Sequence, residues 1–126
     1  MIFRDNKGIL GTTKTMPNLN EGNYESIIQR IIYLRDQKTD WGFRDFLEVT
    51  YELDDDTTKQ TKKENIMISQ AKNSKCFNFL NDVYKGDIPD EINIEELIGK
   101  KCVLAIKHNA DDKGNVYANI VERKFY

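Results

Sequence analysis

Apolar and polar residues alternate along much of this 126-residue chain. Alternation with a period of two is typical of strands that bury one face, so the pattern predicts a mainly β protein. The predicted strands cover residues 23–34, 43–53, 62–69, 101–108 and 115–123. A polar turn at residues 36–40 joins the first two, and charged hairpin connections at 54–61 and 109–114 join the second to the third and the fourth to the fifth.

The second predicted strand has the clearest pattern. Its predicted core face consists of Phe43, Leu47, Val49, Tyr51 and Leu53, and its outer face of Arg44, Phe46, Glu48, Thr50 and Glu52. The first strand is apolar on both faces, with Ile27 and Ile31 on one and Ile28 and Ile32 on the other. It should therefore curve around a barrel or be covered on its outer side.

The apolar period changes to that of a helix between residues 73 and 84. The residues at helical spacing are Cys76, Phe77, Leu80, Val83 and Tyr84. Asn73 or Ser74 suits the N-cap, and Gly86 followed by Pro89 suits the end of a helix. A second short turn is predicted at residues 94–98.

Three strands, one helix and two more strands are the layout of a five-stranded Greek-key barrel of the OB-fold type, with the helix between strands 3 and 4. The outer face of such a barrel binds oligonucleotides or oligosaccharides. We expect one domain at residues 23–126, since the length suits a single core. Residues 1–22 contain Gly8, Gly11 and Pro17 and have little apolar periodicity, which predicts an irregular N-terminal arm.

Composition and charge narrow the class of protein. No apolar run reaches about 18 residues and no secretion signal opens the chain, so we expect a cytoplasmic protein without a membrane partner. The net charge of −2 argues against binding duplex DNA through bulk positive charge. Single strands remain suitable ligands, because base stacking on aromatic side chains contributes about 1–3 kcal/mol per base.

The residues that could support catalysis or bind a metal give no recognised pattern. Cys76 and Cys102 lie 26 residues apart with His108 as the sole histidine, so we expect two buried thiols rather than a zinc site or a disulfide framework. Residues 54–56 and 111–112 are aspartates that could hold magnesium, but consecutive side chains point in alternate directions, and solvated turns are the preferred interpretation. No nucleophile signature or glycine-rich phosphate loop is present. The sequence predicts a non-enzyme without cofactor or metal.

Aromatic and basic residues recur on outward strand positions. Arg44 and Phe46 lie two residues apart and share a face, with Trp41 just before them. An exposed ring beside a guanidinium suits base stacking combined with a phosphate contact. The alternative is that Phe46 lies under the N-terminal arm and that Trp41 plugs one end of the barrel.

Positive charge also collects near two hairpins that flank one groove in a five-stranded barrel. The residues are Lys59, Lys62, Lys63, Lys107, His108 and Lys113. Each lysine alone is ordinary for a hairpin tip, so the hypothesis depends on their convergence. Tyr117 shares the predicted outer face with Asn119, where it either stacks on a base or packs on a neighbouring strand residue.

Three segments resemble small OB-fold proteins of Gram-positive phages and conjugative plasmids, several of which bind single-stranded DNA during replication, recombination or transfer. They are LNEGNYE at 19–25, FLEVTYEL at 46–53, and ELIGKKCVLAIKH at 96–108 together with NVY at 115–117. The most distinctive piece is LIGK before the fourth strand. The resemblance covers roughly residues 19–122.

The resemblance implies a groove on the second and third strands and two hairpins. It implies that the single-stranded DNA contacts Arg44, Phe46, Lys62, Lys107 and Tyr117, with Trp41 and Lys113 beside them. Cellular bacterial single-strand binders end in an acidic tail that recruits partners, whereas this chain ends in ERKFY. Recruitment through such a tail is therefore not expected.

The leading hypothesis is non-catalytic, largely sequence-independent binding of single-stranded DNA in phage or plasmid replication, recombination or transfer. Binding to RNA and self-association to a homo-oligomer stay open. The alternative is a protein-interaction or assembly module on the same barrel that uses Ile28, Ile32 and Tyr33. A metal-dependent nuclease would require Asp111 and Asp112 to converge.

Overall fold

A computed structural model describes residues 2–5, 8–12, 19–54 and 59–126. The elements in chain order are β1 (Ile2–Asp5), β2 (Gly8–Thr12), β3 (Gly22–Thr39), β4 (Gly42–Asp54), β5 (Lys59–Met67), α1 (Lys75–Tyr84), a short 3-10 helix (Ile94–Leu97), β6 (Lys101–Ala110) and β7 (Val116–Phe125).

Five strands form one antiparallel sheet in the order β5-β4-β3-β6-β7. The predicted mainly β class, the five strands and the helix between the third and fourth of them are confirmed. Strands β1 and β2 form a separate two-stranded sheet within the segment expected to be irregular. The division of the chain at residue 22 stays a prediction, although Leu19 already lies in the core.

Strand β3 contains a bulge that changes which of its isoleucines face the core. The pairing with β4 shifts between Ile28 and Arg30, which leaves Gln29 as an extra residue. An extra residue inverts the alternation of a strand. Ile28 and Ile31 therefore both lie in the core, and the predicted grouping of Ile31 with Ile27 is wrong.

The first turn also lies later than predicted. Gln37, Lys38 and Thr39 pair with β4, so the strand continues through most of the predicted turn at residues 36–40. Asp40 and Trp41 make the turn instead, between the paired residues Thr39 and Gly42. On β4 the predicted core residues Leu47, Val49, Tyr51 and Leu53 are buried, which confirms that part of the pattern.

Helix α1 covers one side of the core. The Ser74 hydroxyl oxygen caps it by accepting from the Phe77 N–H (3.0 Å), and Lys85 ends it in a left-handed conformation. Both free cysteines are buried, as predicted. Phe79, absent from the predicted helix face, is fully buried and packs edge-on against Phe125 with ring centroids 6.4 Å apart. No helix in the described ranges combines the length and hydrophobicity needed to cross a bilayer.

The two edge strands are joined by side chains rather than by backbone pairing. Among the described residues β5 and β7 share no ladder, so the sheet is not closed into a barrel by hydrogen bonds. Arg123 on β7 makes two bonds to the Glu64 carboxylate on β5, one of them from Nε at 2.9 Å. Its third bond, from Nη1, reaches Asp82 on α1 at 3.1 Å. We call this junction the seam.

Glu64 is the buried centre of the seam. Its side chain is 3% exposed, and it accepts a hydrogen bond from the Tyr51 hydroxyl (3.0 Å) besides those from Arg123. Burial, and then the charge of Glu64, raise the pKa of Tyr51, so the phenol stays a neutral donor. Lys75 Nζ lies 3.6 Å from the same carboxylate. A buried carboxylate requires such partners, since its desolvation costs several kcal/mol.

We expect Arg123→Met to lower the free energy of unfolding by about 3–5 kcal/mol, because it leaves Glu64 buried without its main partner. The double variant Glu64→Leu, Arg123→Met should be more stable than the single variant Arg123→Met, because it leaves no unpaired charge at this position. Urea denaturation measures both. Lys59→Gln, which breaks the exposed ion pair with Glu52, is the control and should leave the midpoint nearly unchanged. An unchanged midpoint for Arg123→Met would contradict a stabilising seam.

Candidate nucleic-acid interface

The tip of the β3–β4 hairpin presents two aromatic rings to solvent. Trp41 in the turn is 75% exposed, and Phe43 is 65% exposed. Phe43 was predicted to face the core, and that prediction is wrong because its part of β4 extends past the core, where its strand partner is the exposed Lys38. The predicted site residue Arg44 lies beside Phe43 and is also exposed. We call Lys38, Trp41, Phe43 and Arg44 the aromatic tip.

Local hydrogen bonds fix the turn that carries Trp41. The Thr39 hydroxyl donates to the Gly42 carbonyl oxygen (2.6 Å) and accepts from the Trp41 N–H (3.2 Å). Gly42 has a φ of 99°, a backbone conformation that is unfavourable for residues other than glycine. The tight turn therefore places Trp41 in solvent rather than at a barrel end, and the alternative in which Trp41 is a plug is wrong.

A carboxylate at the base of the tip ties its two strands together. Asp45 accepts from the Tyr33 hydroxyl (2.6 Å) and from the Asp36 N–H (2.9 Å), and Asp36 has a left-handed φ of 52°. The bond from Tyr33, followed by that from Asp36, lowers the pKa of Asp45. The guanidinium of Arg35 lies over the Tyr33 ring at 5.6 Å from its centroid. These contacts pre-organise the hairpin below the aromatic tip.

Phe46 continues the apolar surface from the tip along the outer face of the sheet. It is half-buried and lies opposite Leu34 on β3 and Met67 on β5. Residues that are paired across antiparallel strands share a face, so these three form one apolar strip. Further along the same face Glu48 is paired with Lys63 at 3.6 Å.

The β6–β7 hairpin is organised by Asp111. One carboxylate oxygen accepts from the backbone N–H groups of Lys113 and Asn115, both at 2.9 Å, and the other accepts from the Asn115 amide at 3.1 Å. These bonds, led by the Asn115 side chain, lower the pKa of Asp111. Asp111 therefore organises the turn.

Three of the predicted site residues lie on or beside this second hairpin. Tyr117 is 42% exposed, and Lys107 and Lys113 are exposed. Asn119 is the strand partner of Lys107 and shares its outer face, as predicted for Tyr117 and Asn119. His108 faces inward, where its Nε2 donates to the Leu19 carbonyl oxygen (2.7 Å). The histidine thus holds the segment before β3 and has a structural role.

Lys62 stands at a cleft between β5 and β7. The cleft has a volume of about 380 Å³. Its lining residues are Lys62, Lys63, Glu64, Asn65, Lys75, Asn119 and Ile120. Lys62 and Asn119 therefore line the same cleft. Asn119 also lies on the outer face of the sheet, opposite Lys107. We call this space the seam cleft.

The predicted site residues form two groups rather than one patch. Trp41 lies past the end of the 18-residue strand β3, whereas Lys107 lies past its beginning, because Ile106 is paired with Gly22. Lys62 is paired with Tyr51, which lies ten residues after Trp41. The two groups are therefore about 33 Å apart along β4, at about 3.3 Å per residue. Phe46 lies between the two groups.

The distribution of ion pairs decides which cations remain available. Lys59 and Lys63 are paired with Glu52 and Glu48. Lys62, Lys107 and Lys113 make no ion pair within the described residues. The predicted site cations without an ion pair thus lie around the seam cleft and the second hairpin, with Arg44 at the aromatic tip.

The structure also bears on the competing hypotheses. Ile28, assigned to an assembly surface, lies fully in the core and cannot contact a partner. Among the residues whose side chains are described, no group of three His, Cys, Asp or Glu is placed to hold a metal. Asp55 and Asp56 lie outside the described residues.

No protein-family model, curated protein or solved structure matches the chain. The resemblance to small phage and plasmid OB-fold proteins therefore stays a prediction, as do the ligand and the roles of the site residues.

We expect the carboxyl groups of Asp45 and Asp111 to titrate below the usual value of about 3.9. A lowered folded pKa means that these bonds stabilise the hairpins above the unfolded pKa and are lost as the pH falls through the folded pKa. Tyr33→Phe should raise the pKa of Asp45 and leave Asp111 unchanged. Carboxyl-detected NMR titration measures both. If the pKa of Asp45 were the same in the wild type and in Tyr33→Phe, the hydrogen bond from Tyr33 would be contradicted.

Proposed function

We propose that this protein binds single-stranded DNA without catalysing a reaction and largely without regard to sequence. The single-stranded DNA would run from the aromatic tip past Phe46 toward the seam cleft and the β6–β7 hairpin. One observation carries the proposal: Trp41 and Phe43 expose their rings on a turn built by specific hydrogen bonds, with Lys38 and Arg44 beside them. Exposed rings next to cations supply stacking and phosphate contact together.

The sheet supports an OB-type assignment within this proposal. Its strand order, antiparallel pairing and helix position agree with a partly open five-stranded Greek-key barrel, in which the outer strands and hairpins bind oligonucleotides. The stretch of about 33 Å along β4 is long enough for several nucleotides, in keeping with about 4–16 nucleotides per OB fold.

Unpaired strands suit this surface better than duplex DNA. The rings at the tip can stack only on bases that are free of a partner base. The chain has a net charge of −2, and its cations are spread along the sheet instead of forming one basic face. Duplex binding depends mainly on many simultaneous phosphate contacts, which this distribution does not offer.

The biological setting rests on the sequence resemblance. We propose that the protein protects or organises single strands in phage or plasmid replication, recombination or transfer, in the cytoplasm. RNA would bind the same rings, and discrimination would depend on contacts to the 2′-hydroxyl.

We expect Trp41→Ala and Phe43→Ala each to weaken binding of an oligothymidine of about 30 nucleotides by about 1–3 kcal/mol, or roughly 5-fold to 150-fold. Fluorescence anisotropy at low salt gives the affinities. Trp41 is the only tryptophan, so quenching of intrinsic fluorescence reports its stacking directly. Tyr126→Ala removes an exposed ring away from the hairpin and should bind like the wild type.

Two results would overturn the proposal. One is a wild-type protein that binds no oligothymidine at low salt. The other is equal affinity of the Trp41→Ala, Phe43→Ala and wild-type proteins. If light scattering then showed a stable oligomer that persists after charge reversal at Lys62 and Lys107, the assembly hypothesis would replace it.

A further inference from the structure

We infer that the seam cleft binds a phosphate, specifically one phosphodiester of the single strand, and that Lys62, Lys75 and Asn119 are its main ligands. The inference rests on the proposed function and adds a defined contact point to it. Lys75 and Asn119 come from α1 and β7, so no single strand pattern in the sequence points to this site.

The lining of the cleft suits an anion rather than a base. Three lysines and two asparagines provide hydrogen-bond donors around about 380 Å³, and none of the lining residues is aromatic. Without a ring, the cleft offers no stacking platform for a base. A phosphate with part of its hydration shell fits the volume, since one water occupies about 30 Å³ in the liquid.

Lys62 provides the strongest indication of a ligand. It lies opposite the buried Tyr51 and two residues before the buried Glu64, so it stands on the inward face of β5. It is half-buried and makes no ion pair within the described part of the chain. Partial burial of an ammonium is unfavourable without a counter-charge, which a phosphate would supply.

Glu64 does not oppose an anion in the cleft, because its charge is already balanced. Its carboxylate oxygens accept from Arg123 and from the Tyr51 hydroxyl, inside the seam. Lys75 lies 3.6 Å from Glu64 and also donates to the Asn65 carbonyl oxygen at 3.1 Å, which holds its ammonium beside the cleft. Glu64 and Asp82 are thus balanced by Arg123 and Lys75, and the charge of Lys62 leaves the cleft positive.

The cleft lies between the two unpaired edges of the sheet. Strands β5 and β7 face each other across the cleft without a shared ladder in the described chain. An unpaired strand edge exposes N–H groups at alternate residues. The anion thus meets ammonium and amide donors from three elements, β5, α1 and β7.

The test is the salt dependence of oligothymidine binding. Lys62→Gln and Lys75→Gln should each make the slope of log K against log salt shallower by about 0.7, and weaken binding about five-fold at about 0.1 M salt. Asn119→Asp places a carboxylate at the cleft and should weaken binding more than Asn119→Ala. Lys101→Gln is the control, because Lys101 lines a different pocket with Glu25, Glu52 and Asp54, and its slope should equal that of the wild type.

The outcomes separate this inference from the proposed function. If Lys62→Gln, Lys75→Gln and Lys101→Gln all bound with the wild-type affinity and the wild-type salt slope, the phosphate site would be overturned. The proposed function would still stand. A wild type that binds no oligothymidine would overturn both. Because Lys75 also contacts Glu64, thermal unfolding is recorded for each variant, and Lys62→Gln decides the question if Lys75→Gln is unfolded.

Discussion

The contact between Arg123 and Glu64 joins the two edges of the five-stranded sheet. Strands β5 and β7 lie at opposite edges of the sheet, and the described residues give them no backbone ladder. The guanidinium of Arg123 joins the edges and also reaches Asp82, so it connects both strands to α1. A buried pair of this kind contributes little net stability compared with apolar packing, but either charge left alone is strongly unfavourable. Each charge at this junction therefore depends on the other.

A seam held by side chains has consequences that a closed ladder would not have. A ladder would bring the edges to about 4.8 Å and fill the space with backbone hydrogen bonds. Here the edges are separated by an ion-pair cluster, and the space beside it becomes a cleft lined by lysines and asparagines. The same arrangement that joins the two edges thus leaves an opening between them.

Local patterns in the sequence predict much of the fold and only part of the site. Alternation identified the core residues of β4, and helical spacing identified α1, since both follow from the geometry of one element. The bulge at Gln29 changes the register without changing composition, so alternation placed Ile31 on the wrong face. Phe43 continues the alternation of β4 past the edge of the core. Glu64 and Arg123 lie 59 residues apart, and only the tertiary structure brings them together.

The acidic net charge is concentrated in one connection. Residues 86–100, between α1 and β6, contain five carboxylates and one lysine and carry a net charge of −4, so the other 111 residues carry +2. That connection packs against β3, where the Gly99 N–H donates to the Ile28 carbonyl oxygen (2.8 Å). Fields from exposed charges fade over about 10 Å at 0.1 M salt, so a ligand responds to nearby groups more than to the total. A protein of net charge −2 can therefore still present positive charge locally, as Lys62 does at the seam cleft and Lys38 and Arg44 do at the aromatic tip.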